Sequence, residues 1–426
     1  MYWIYSALLA AALVVTLPYW LMQMSQHGKY RAGFAERLGR VPARLAARRG
    51  PTIWIHAVSV GEVRAVSYLI AELLSRFPKH RIVVSTTTDT GQKLAQKQFG
   101  AENVFYFPMD FAFAIRPYLR FLQPQLVIIA ETEFWPNFLR LAHASGAQIA
   151  IVNARISDRS WPRYRRFRFL FAGILRWVDV FLAQTEEDAR RLCELGAPAE
   201  RVHVAGNLKF DVPTPPLLPI VASLRVSFQQ SGAGPVIVCG STVDEEEPLL
   251  LRAFENVLAS FPRAVMILAP RHPERFGTVA EIMEKLGVRF WRRSLWSGDP
   301  FTGGVLLIDT IGELAALYSL ADIAFVGGSL VPRGGHNIIE PAQHAVPIIV
   351  GSHTENFREI VKVFQGRGAI RVVSVVEFPL VLMELLSNES ARTALGRCAA
   401  ETLRSQTGAT HRSTEALAKL LEPACD

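Results

Sequence analysis

Short apolar runs alternate with amphipathic stretches along most of this sequence. In the first half, six runs rich in Ile, Val and Phe each end in polar or turn residues: TIWIHAVS, RIVVST, NVFYFP, LVIIAE, QIAIVN and VFLAQT. Between them lie segments with helical periodicity, such as EVRAVSYLIAELLSRF and EEDARRLCELGA. Buried strands that alternate with helices predict right-handed crossovers and a parallel sheet covered on both faces.

The same alternation restarts after a proline-rich segment, VPTPPLLP, which begins at Val212. Clustered prolines interrupt both helices and central strands, so this segment is the predicted linker. Six further apolar runs follow it: PVIVCG, AVMILAP, VLLID, DIAFVGG, VPIIVG and AIRVVS. A final helix is predicted from about Asn388 to Leu421. The 426 residues therefore suit two Rossmann-like α/β domains, an outline that GT-B glycosyltransferases share with epimerases and periplasmic binding proteins.

The N-terminal segment has no charged residue from Tyr2 to Gln26, and its apolar core is about as long as a bilayer is thick. It lacks the basic start and the small-residue cleavage site of a secretory signal peptide. Basic residues follow, with Glu36 as the single acid among them: Lys29, Arg31, Arg37, Arg40, Arg44, Arg48 and Arg49. Because basic residues stay on the cytoplasmic side, we expect an uncleaved membrane anchor with a cytoplasmic body. A buried helix of a soluble protein is the alternative.

The formal net charge of +8 indicates an anionic partner. Part of this charge lies in NARISDRSWPRYRRFRF, residues 153–169, where aromatic residues are interleaved with Arg155, Arg159, Arg163, Arg165, Arg166 and Arg168. A nucleic-acid patch has a similar composition, but beside a membrane anchor lipid phosphates are the simpler partner. A solvated basic helix face also remains open. The four cysteines form no C-x-x-C pair, so we expect neither a zinc site nor a disulfide framework.

Candidate catalytic residues follow the predicted strands, where doubly wound sheets bind their ligands. Glu62 begins the helix after HAVSVG, and the helix dipole is expected to keep its carboxylate ionised, as a general base requires. Glu131 and Glu133 follow LVIIA and would share one face of an extended segment. Two carboxylates at one strand end need a positive group nearby. Lys209, in GNLKFD just before the linker, can stabilise the negative charge of a leaving phosphate.

Each of these residues has a structural alternative. Glu62 also fits an ordinary first-turn acid that complements the helix dipole. Thr132 and Glu133 fit a helix cap, which explains Glu133 better than Glu131. His56 lies within a predicted strand and is expected to be a core histidine rather than a base.

The second half contains candidate anion sites at its strand ends. GSTVDEEE, residues 240–247, follows a strand and opens a helix, which is a common anion-binding turn. Arg271 ends the next strand and suits a phosphate, and DTIGEL repeats the strand-to-helix geometry. The strongest local signal is FVGGSLVPRGGHNIIEPA, residues 325–342, where glycines let backbone amides hold phosphate and Glu340 can accept ribose hydroxyls. Neither a dinucleotide fingerprint after a first strand nor a P-loop motif is present.

These motifs, in this order, resemble those of the bacterial Kdo transferases, which move 3-deoxy-D-manno-oct-2-ulosonic acid (Kdo) from CMP-Kdo to a lipid A precursor. The matching segments are VSVGE, STTTDTG, ETEFWPNF, NARISDRS, AQTEEDARRLCELGA, GNLKFD, GST-x-x-EE, PRHPERF, DTIGEL, FVGGSLVPRGGHNIIEPA and GSHTENF. The resemblance covers nearly the whole chain. It implies an α/β GT-B fold with an anchor at 1–28, an acceptor domain at 29–212 and a CMP-Kdo domain at 213–426, whose final helix packs back toward the N-terminal domain.

The resemblance also assigns roles to individual residues. It implies that Glu62 is the general base and that Glu131 and Lys209 stabilise the transition state. The implied contacts with CMP are Pro270, Arg271, Ile311, Gly312, Glu313, Asn337, Ile338, Ile339 and Glu340. No Asp-x-Asp motif stands at a convincing strand end, so we predict that neither a metal nor another cofactor is required.

The implied reaction is an inverting transfer to lipid IVA in lipopolysaccharide core biosynthesis at the bacterial inner membrane. The expected partners are CMP-Kdo, the lipid A precursor and membrane lipids, and not nucleic acid. A general base of ordinary basicity is expected to suffice, because the acceptor proton leaves late. A GT-B enzyme that uses a UDP-sugar donor and a non-catalytic lipid-binding protein are the alternatives.

Overall fold

Two units make up the chain in a computed structural model that describes residues 2–27, 32–47, 50–213, 215–216 and 218–422. The first unit contains the residues up to Asp211 together with those from Thr407 onward, and the second is Val212–Gln406. The second unit therefore ends at Gln406, whereas the predicted donor domain runs to residue 426.

A parallel sheet forms the centre of the first unit. Its seven strands, among the described residues, are β1 (Thr52–His56), β2 (Arg81–Thr86), β3 (Val104–Tyr106), β4 (Pro124–Ala130), β5 (Gln148–Ala154), β6 (Val180–Ala183) and β7 (Val202–Val204). Their spatial order is β3-β2-β1-β4-β5-β6-β7, so the direction of winding reverses between β1 and β4. Ligands of doubly wound sheets bind at the carboxyl ends of strands where this reversal occurs. The prediction missed β7, a three-residue strand of the sequence VHV.

Helices cover this sheet on both faces. Those described in the first unit are α1 (Tyr2–His27), α2 (Phe34–Arg37), α3 (Val60–Arg76), α4 (Asp89–Phe99), α5 (Ala112–Leu122), α6 (Pro136–Ala144), α7 (Trp161–Arg166), α8 (Arg168–Leu175) and α9 (Glu186–Glu194). Short 3₁₀ turns cover Ala43–Ala47, Ala101–Asn103, Ala199–Arg201 and Leu208–Phe210. Alternate strand residues serve opposite layers of the core, as the pleat requires: Trp54 packs in one layer, and its neighbours Ile53 and Ile55 pack in the other.

The second unit repeats this architecture. Its seven described strands are β8 (Val236–Thr242), β9 (Val265–Pro270), β10 (Phe290–Arg292), β11 (Gly304–Leu307), β12 (Ile323–Val326), β13 (Ile348–Gly351) and β14 (Arg371–Val373). They pair in parallel in the order β10-β11-β9-β8-β12-β13-β14, so the winding reverses between β8 and β12. Two parallel α/β sheets were predicted and are confirmed. The edge strand β10 was missed, because FWR is short and ends in a charged residue.

The helices described in the second unit are α10 (Pro219–Ser231), α11 (Glu246–Ser260), α12 (Phe276–Lys285), α13 (Leu314–Leu317), α14 (Ile339–Gln343), α15 (Arg358–Gly366), α16 (Phe378–Ser387) and α17 (Glu389–Gln406). Short 3₁₀ turns cover Pro273–Arg275, Arg293–Leu295, Tyr318–Leu320 and Glu355–Phe357.

The predicted single helix at the end of the chain is wrong. It is two helices, α17 and α18 (Ala409–Leu421), because Gly408 adopts φ 92°, a left-handed conformation that ends a helix. Helix α18 belongs to the first unit, where Ala409 and Leu417 are fully buried in the core.

The uncharged N-terminal segment forms helix α1, and the start of this helix contacts the rest of the first unit. The Tyr2 hydroxyl accepts a hydrogen bond from Trp177 Nε1 at 2.7 Å, and Asn137 Nδ2 donates to Ser6 Oγ at 3.0 Å. Searching the described residues, we find no helix that is both long and apolar enough to cross a membrane. The basic residues Lys29, Arg31, Arg48 and Arg49 lie outside the described residues.

Asp211 fixes the start of helix α18. This helix has no capping side chain at its own N-cap, Gly408. The Asp211 carboxylate accepts hydrogen bonds from the amides of Gly408, at 2.7 Å, and Thr410. It thereby satisfies amides that the helix itself leaves unpaired.

Replacement of Asp211 by Ala should lower the free energy of unfolding by about 1–2 kcal/mol, in the range of lost N-caps. Urea denaturation followed by circular dichroism measures this change. The control is Glu415→Ala on the same helix, which removes an exposed ion pair with Arg76 and should change stability little. Equal stability of the Asp211→Ala and wild-type proteins would contradict the capping role.

Candidate active site

Glu62 lies in the first turn of α3, directly after the carboxyl end of β1. Ser59 is the N-cap, and its hydroxyl accepts from the Glu62 amide while donating to Glu62 Oε1 at 3.0 Å. The Val58 amide donates to Glu62 Oε2 at 2.8 Å. This arrangement resembles a capping box, with the Val58 amide in place of the N-cap amide, and it holds the carboxylate of Glu62, a residue only 8% exposed, in one orientation.

The basicity of Glu62 is not ordinary. Burial raises its pKa to about 7, and the charges of Glu131 and Glu133 act in the same direction. The hydrogen bonds from Val58 and Ser59 lower the pKa, but they offset only part of the desolvation. Burial therefore outweighs these hydrogen bonds, and the pKa of Glu62 lies above that of an ordinary glutamate.

Glu131 follows the last residue of β4, the strand that pairs with β1. Its backbone has φ 57°, in the left-handed region, and its amide donates to the Val152 carbonyl at 2.9 Å. A left-handed residue with a long side chain is uncommon and costs conformational energy. The chain therefore turns at Glu131, and the expected extended segment that would put Glu131 and Glu133 on one face is absent.

Lys209 supplies the positive group that the sequence analysis required. Its ammonium lies 3.1 Å from Glu131 Oε1, and both side chains are about one-third exposed. The 3₁₀ turn that carries Lys209 is held by two asparagines: Asn207 Oδ1 accepts from the Lys209 amide and Asn153 Oδ1 accepts from the Leu208 amide, both at 3.0 Å. Asn153 is the last residue but one of β5, with φ 56°, and is 1% exposed. Asn153 was not singled out in the sequence, although it is the first residue of the motif NARISDRS.

The helix after Glu133 is capped from a different element than expected. Thr132 donates to the Arg155 carbonyl at 2.7 Å and caps nothing. Instead the buried Asp110 accepts from the amides of Asn137 and Phe138, at 3.0 and 2.7 Å, and so caps α6. Burial raises the pKa of Asp110 to about 6. Asp110 was missed, because nothing in the sequence connects it with a helix more than twenty residues away.

The carboxyl edge of the first sheet thus brings Glu62, Glu131, Glu133 and Lys209 together. Burial and the charge of Glu131 raise the pKa of Glu133. Across the described residues, no group of three or more His, Cys, Asp or Glu side chains could hold a metal ion. His56 is fully buried nearby with Nδ1 bonded to Ser85, and burial lowers its pKa to about 3, so it is a neutral core residue as expected.

In the second unit, Arg271 and Glu340 interact electrostatically. Arg271 follows Pro270 at the end of β9, and its charge lowers the pKa of Glu340, although burial raises that pKa more strongly. Asn337 donates to Glu340 Oε1 at 3.1 Å and accepts from the Ile339 amide at 3.1 Å. The next residues, Ile338 and Ile339, have buried side chains. Any ligand contact from these two isoleucines would therefore come from the backbone.

The DTIGEL loop has separate partners. Gly312 has φ 92° and Ile311 is 79% exposed. Glu313 pairs with Arg293 at 2.9 Å and also accepts from the Thr310 hydroxyl. The structure thus holds this loop against the 3₁₀ turn Arg293–Leu295, a contact that the sequence did not indicate.

The glycine-rich loop after β12 was expected to present its amides to a ligand. Its first amides are instead bonded within the protein. The amides of Gly328, Ser329 and Leu330 all donate to the carboxylate of Glu246, at 2.7, 2.9 and 2.9 Å. A Cβ at Gly327 would lie 2.8 Å from Glu246 Oε2, so this glycine makes room for a protein side chain. The second glycine pair does the same, because a Cβ at Gly334 would lie 2.4 Å from the Asn356 side chain. The expectation that these amides hold a phosphate is corrected.

Comparison with known proteins agrees with this architecture. The structure is similar to a glycosyltransferase of Rickettsia africae, with 14% identity, coverage of 88% of this chain and 100% of that one, and a TM-score of 0.50. At this identity the likeness shows the fold alone. Two parallel Rossmann-like sheets, each with polar groups at its reversal point, fit a GT-B-like fold.

The sequence comparisons are more specific. A family model described as 3-deoxy-D-manno-octulosonic-acid transferase matches residues 32–212. The 3-deoxy-D-manno-octulosonic acid transferase of Haemophilus influenzae is 36% identical over 399 residues, which are 92% of each chain. The C-terminal CMP-Kdo binding domain of WaaA from Acinetobacter baumannii is 34% identical, covers 43% of this chain and 97% of its own, and has a TM-score of 0.40. The chain belongs to the Kdo transferase family and is a glycosyltransferase.

The raised pKa of Glu62 predicts the pH dependence of activity. A general base acts in its deprotonated form, so kcat/KM should rise with pH through an apparent pKa of about 7. A pH–rate profile measures this value. Glu133→Gln should move the inflection to lower pH, because it removes a negative charge that raises the pKa of Glu62. A rate that is constant between pH 5.5 and 8 would contradict the assignment.

Proposed function

We propose that this protein transfers Kdo from CMP-Kdo to a sugar hydroxyl of a lipid A precursor, lipid IVA, with inversion at the anomeric carbon. Family membership supports the transferred sugar. The observation that carries the proposed mechanism is the cluster of Glu62, Glu131 and Lys209 at the reversal point of the first sheet. Such a reversal point is where doubly wound sheets bind ligands, and the cluster combines a buried base with an ion pair.

In the proposed reaction, Glu62 removes the proton from the acceptor hydroxyl, whose oxygen attacks the anomeric carbon of Kdo while CMP leaves. A base with a pKa of about 7 is well matched to a neutral cytoplasm, since a large fraction is deprotonated and the conjugate acid is weak. Val58 and Ser59 orient the carboxylate by donating to its two oxygens. Each carboxylate oxygen can accept a further hydrogen bond, so the acceptor alcohol need not displace Val58 or Ser59 to give its proton to Glu62.

The charge of the departing CMP phosphate requires positive partners. Lys209 is a proposed partner in the first unit, where Glu131 holds its ammonium in place at 3.1 Å. For the nucleotide we propose contacts with the residues implied by the resemblance, from Pro270 and Arg271, from 311–313 and from Asn337–Glu340. A half-buried carboxylate such as Glu340 suits the ribose hydroxyls.

We further propose that the protein attaches to the cytoplasmic face of the bacterial inner membrane through the first unit. Helix α1 exposes large apolar side chains, including Trp3 at 88% and Val15 at 79%. The Tyr2 hydroxyl of this helix also donates to the Gly173 carbonyl in α8, the helix that begins within the arginine-rich segment 153–169. That segment exposes Phe169 at 70% and the guanidinium groups of Arg159, Arg163, Arg165, Arg166 and Arg168. A surface that combines exposed apolar side chains with basic side chains binds membranes that contain anionic lipid.

Incubation of the purified protein with CMP-Kdo and lipid IVA, followed by mass spectrometry of the lipid, tests the proposed function. We expect a lipid heavier by one or more Kdo residues and release of CMP. A product formed only with a UDP-sugar would establish a different donor. Absence of any product and of CMP release would favour a non-catalytic lipid-binding role.

Replacement of Glu62 by Gln keeps the size of the side chain but removes its basicity. We expect transfer to fall by about 10²-fold or more, the range of general-base effects, with CMP affinity nearly unchanged. Single-turnover kinetics and calorimetry measure the two quantities. The control is Glu72→Gln on the same helix. Activity of the Glu62→Gln variant within a few-fold of wild type would remove Glu62 from the mechanism.

Replacement of Val14 and Val15 by Glu tests membrane attachment without deleting α1. Both side chains are exposed, at 70% and 79%, so the contacts of Tyr2 and Ser6 with the first unit should persist. We expect binding to vesicles containing phosphatidylglycerol to weaken by about tenfold or more, because burying two valines in lipid contributes more than this. Transfer to detergent-dispersed acceptor should be unchanged. Equal vesicle binding would contradict the proposal for α1.

A further inference from the structure

Glu246 occupies an anion site in the second unit. It is the first residue of α11 and is 0% exposed. Its Oε1 accepts from the amides of Ser329 and Leu330, both at 2.9 Å. Its Oε2 accepts from the amides of Gly328, at 2.7 Å, and Val243, at 3.2 Å. Three successive amides converging on one group form an anion-binding nest.

Burial raises the pKa of Glu246, and the four amide hydrogen bonds lower it. Every contact brings an N–H donor to a carboxylate oxygen, with two donors on each oxygen. A protonated carboxyl group would need an acceptor for its own hydrogen and would give up part of its capacity to accept. The arrangement therefore fits the carboxylate, and burial without these donors would be costly.

The nest lies where a phosphate would be expected. Its three successive amides follow β12, and Val243 follows β8, the two strands between which the second sheet reverses. Backbone amides at such a reversal point normally bind a ligand phosphate. Here the chain supplies its own anion, which stays in place whatever ligand is bound.

We infer that Glu246 is a specificity-determining residue that restricts the donor site to leaving groups with one phosphate. A second phosphate approaching the nest would find its donors taken and would meet the negative charge of the Glu246 carboxylate. A nucleoside monophosphate needs only the positive charge of Arg271, outside the nest. This inference rests on the proposed use of a CMP-linked sugar and adds the reason why a nucleoside diphosphate sugar is rejected.

The neighbouring residue Glu247 provides a matched control. It is also 0% exposed in the first turn of α11, but it faces different partners. Arg275 Nη2 donates to Glu247 Oε2 at 2.9 Å, and Thr242 donates to Oε1 at 3.2 Å. Glu247→Gln therefore removes one buried charge from the same turn without opening the nest.

The test compares the affinities of CMP and CDP, which have the same base and sugar and differ by one phosphate. Calorimetry in buffer with a metal chelator measures both affinities. For the wild-type protein we expect CDP to bind at least about tenfold more weakly than CMP. In Glu246→Gln the nest loses its charge, and the ratio of the two affinities should shift toward CDP by about tenfold or more. In Glu247→Gln the ratio should stay as in wild type.

The possible outcomes separate this inference from the proposed function. CDP binding as tight as CMP binding in the wild-type protein would overturn the role of Glu246 and leave the CMP site standing, and this measurement needs no variant. Thermal melting establishes whether the Glu246→Gln protein is folded. If it is folded and keeps the wild-type ratio of CMP to CDP affinity, the role of Glu246 is overturned as well. An equal shift in Glu247→Gln would attribute the effect to buried charge in general and also overturn it. Failure of the wild-type protein to bind CMP would overturn the proposed donor and this inference together.

Discussion

Burial of carboxylates at the reversal points of two parallel sheets is the constraint on which the rest of the structure depends. A buried carboxylate is tolerated only where donors or a counter-charge meet it. Glu62 has one amide and one hydroxyl, and its pKa stays high. Glu246 has four amides that lower its pKa, although burial raises that pKa more strongly. The two carboxylates differ in their partners: the donors to Glu62 come from its own helix start, whereas three of the donors to Glu246 belong to the glycine-rich loop that it holds.

The same constraint explains the local backbone. Positive φ values occur at Glu131, Asn153 and Ser241, each at or beside the end of a strand that reaches a reversal point or its neighbour. These residues turn the chain sharply, so that side chains and amides converge instead of continuing along the strands. The cost of such conformations is of order 1–3 kcal/mol each, and it is met by the packing of the strands beneath them. The position of Lys209 depends on the left-handed backbone of Asn153, because the Asn153 side chain accepts from the Leu208 amide in the turn that carries this lysine.

Much of the fold was accessible from the sequence. Parallel strands buried on both faces give continuous apolar runs, and twelve of these were recognised in the correct order. The strands β7 and β10 were missed, because none of their residues is fully buried and they leave no apolar run, whereas the equally short β3 is buried throughout. The break at Gly408 was missed because helical periodicity continues on both sides of it. Residues of the candidate site were found because they stand at strand ends, a position that sequence order alone reveals.

The sequence by itself therefore determined the class of fold and the family, and it placed Glu62, Glu131 and Arg271 at strand ends. It also marked Lys209 before the linker and Glu340 in the glycine-rich segment. Tertiary structure alone decided which groups meet. It gave Glu62 a raised pKa through burial, paired Lys209 with Glu131, and filled the glycine loop with Glu246 instead of a phosphate. The physical reason is that desolvation and hydrogen-bond partners depend on residues distant in the chain. Gly328 and Glu246 are separated by 82 positions, and no local pattern links them.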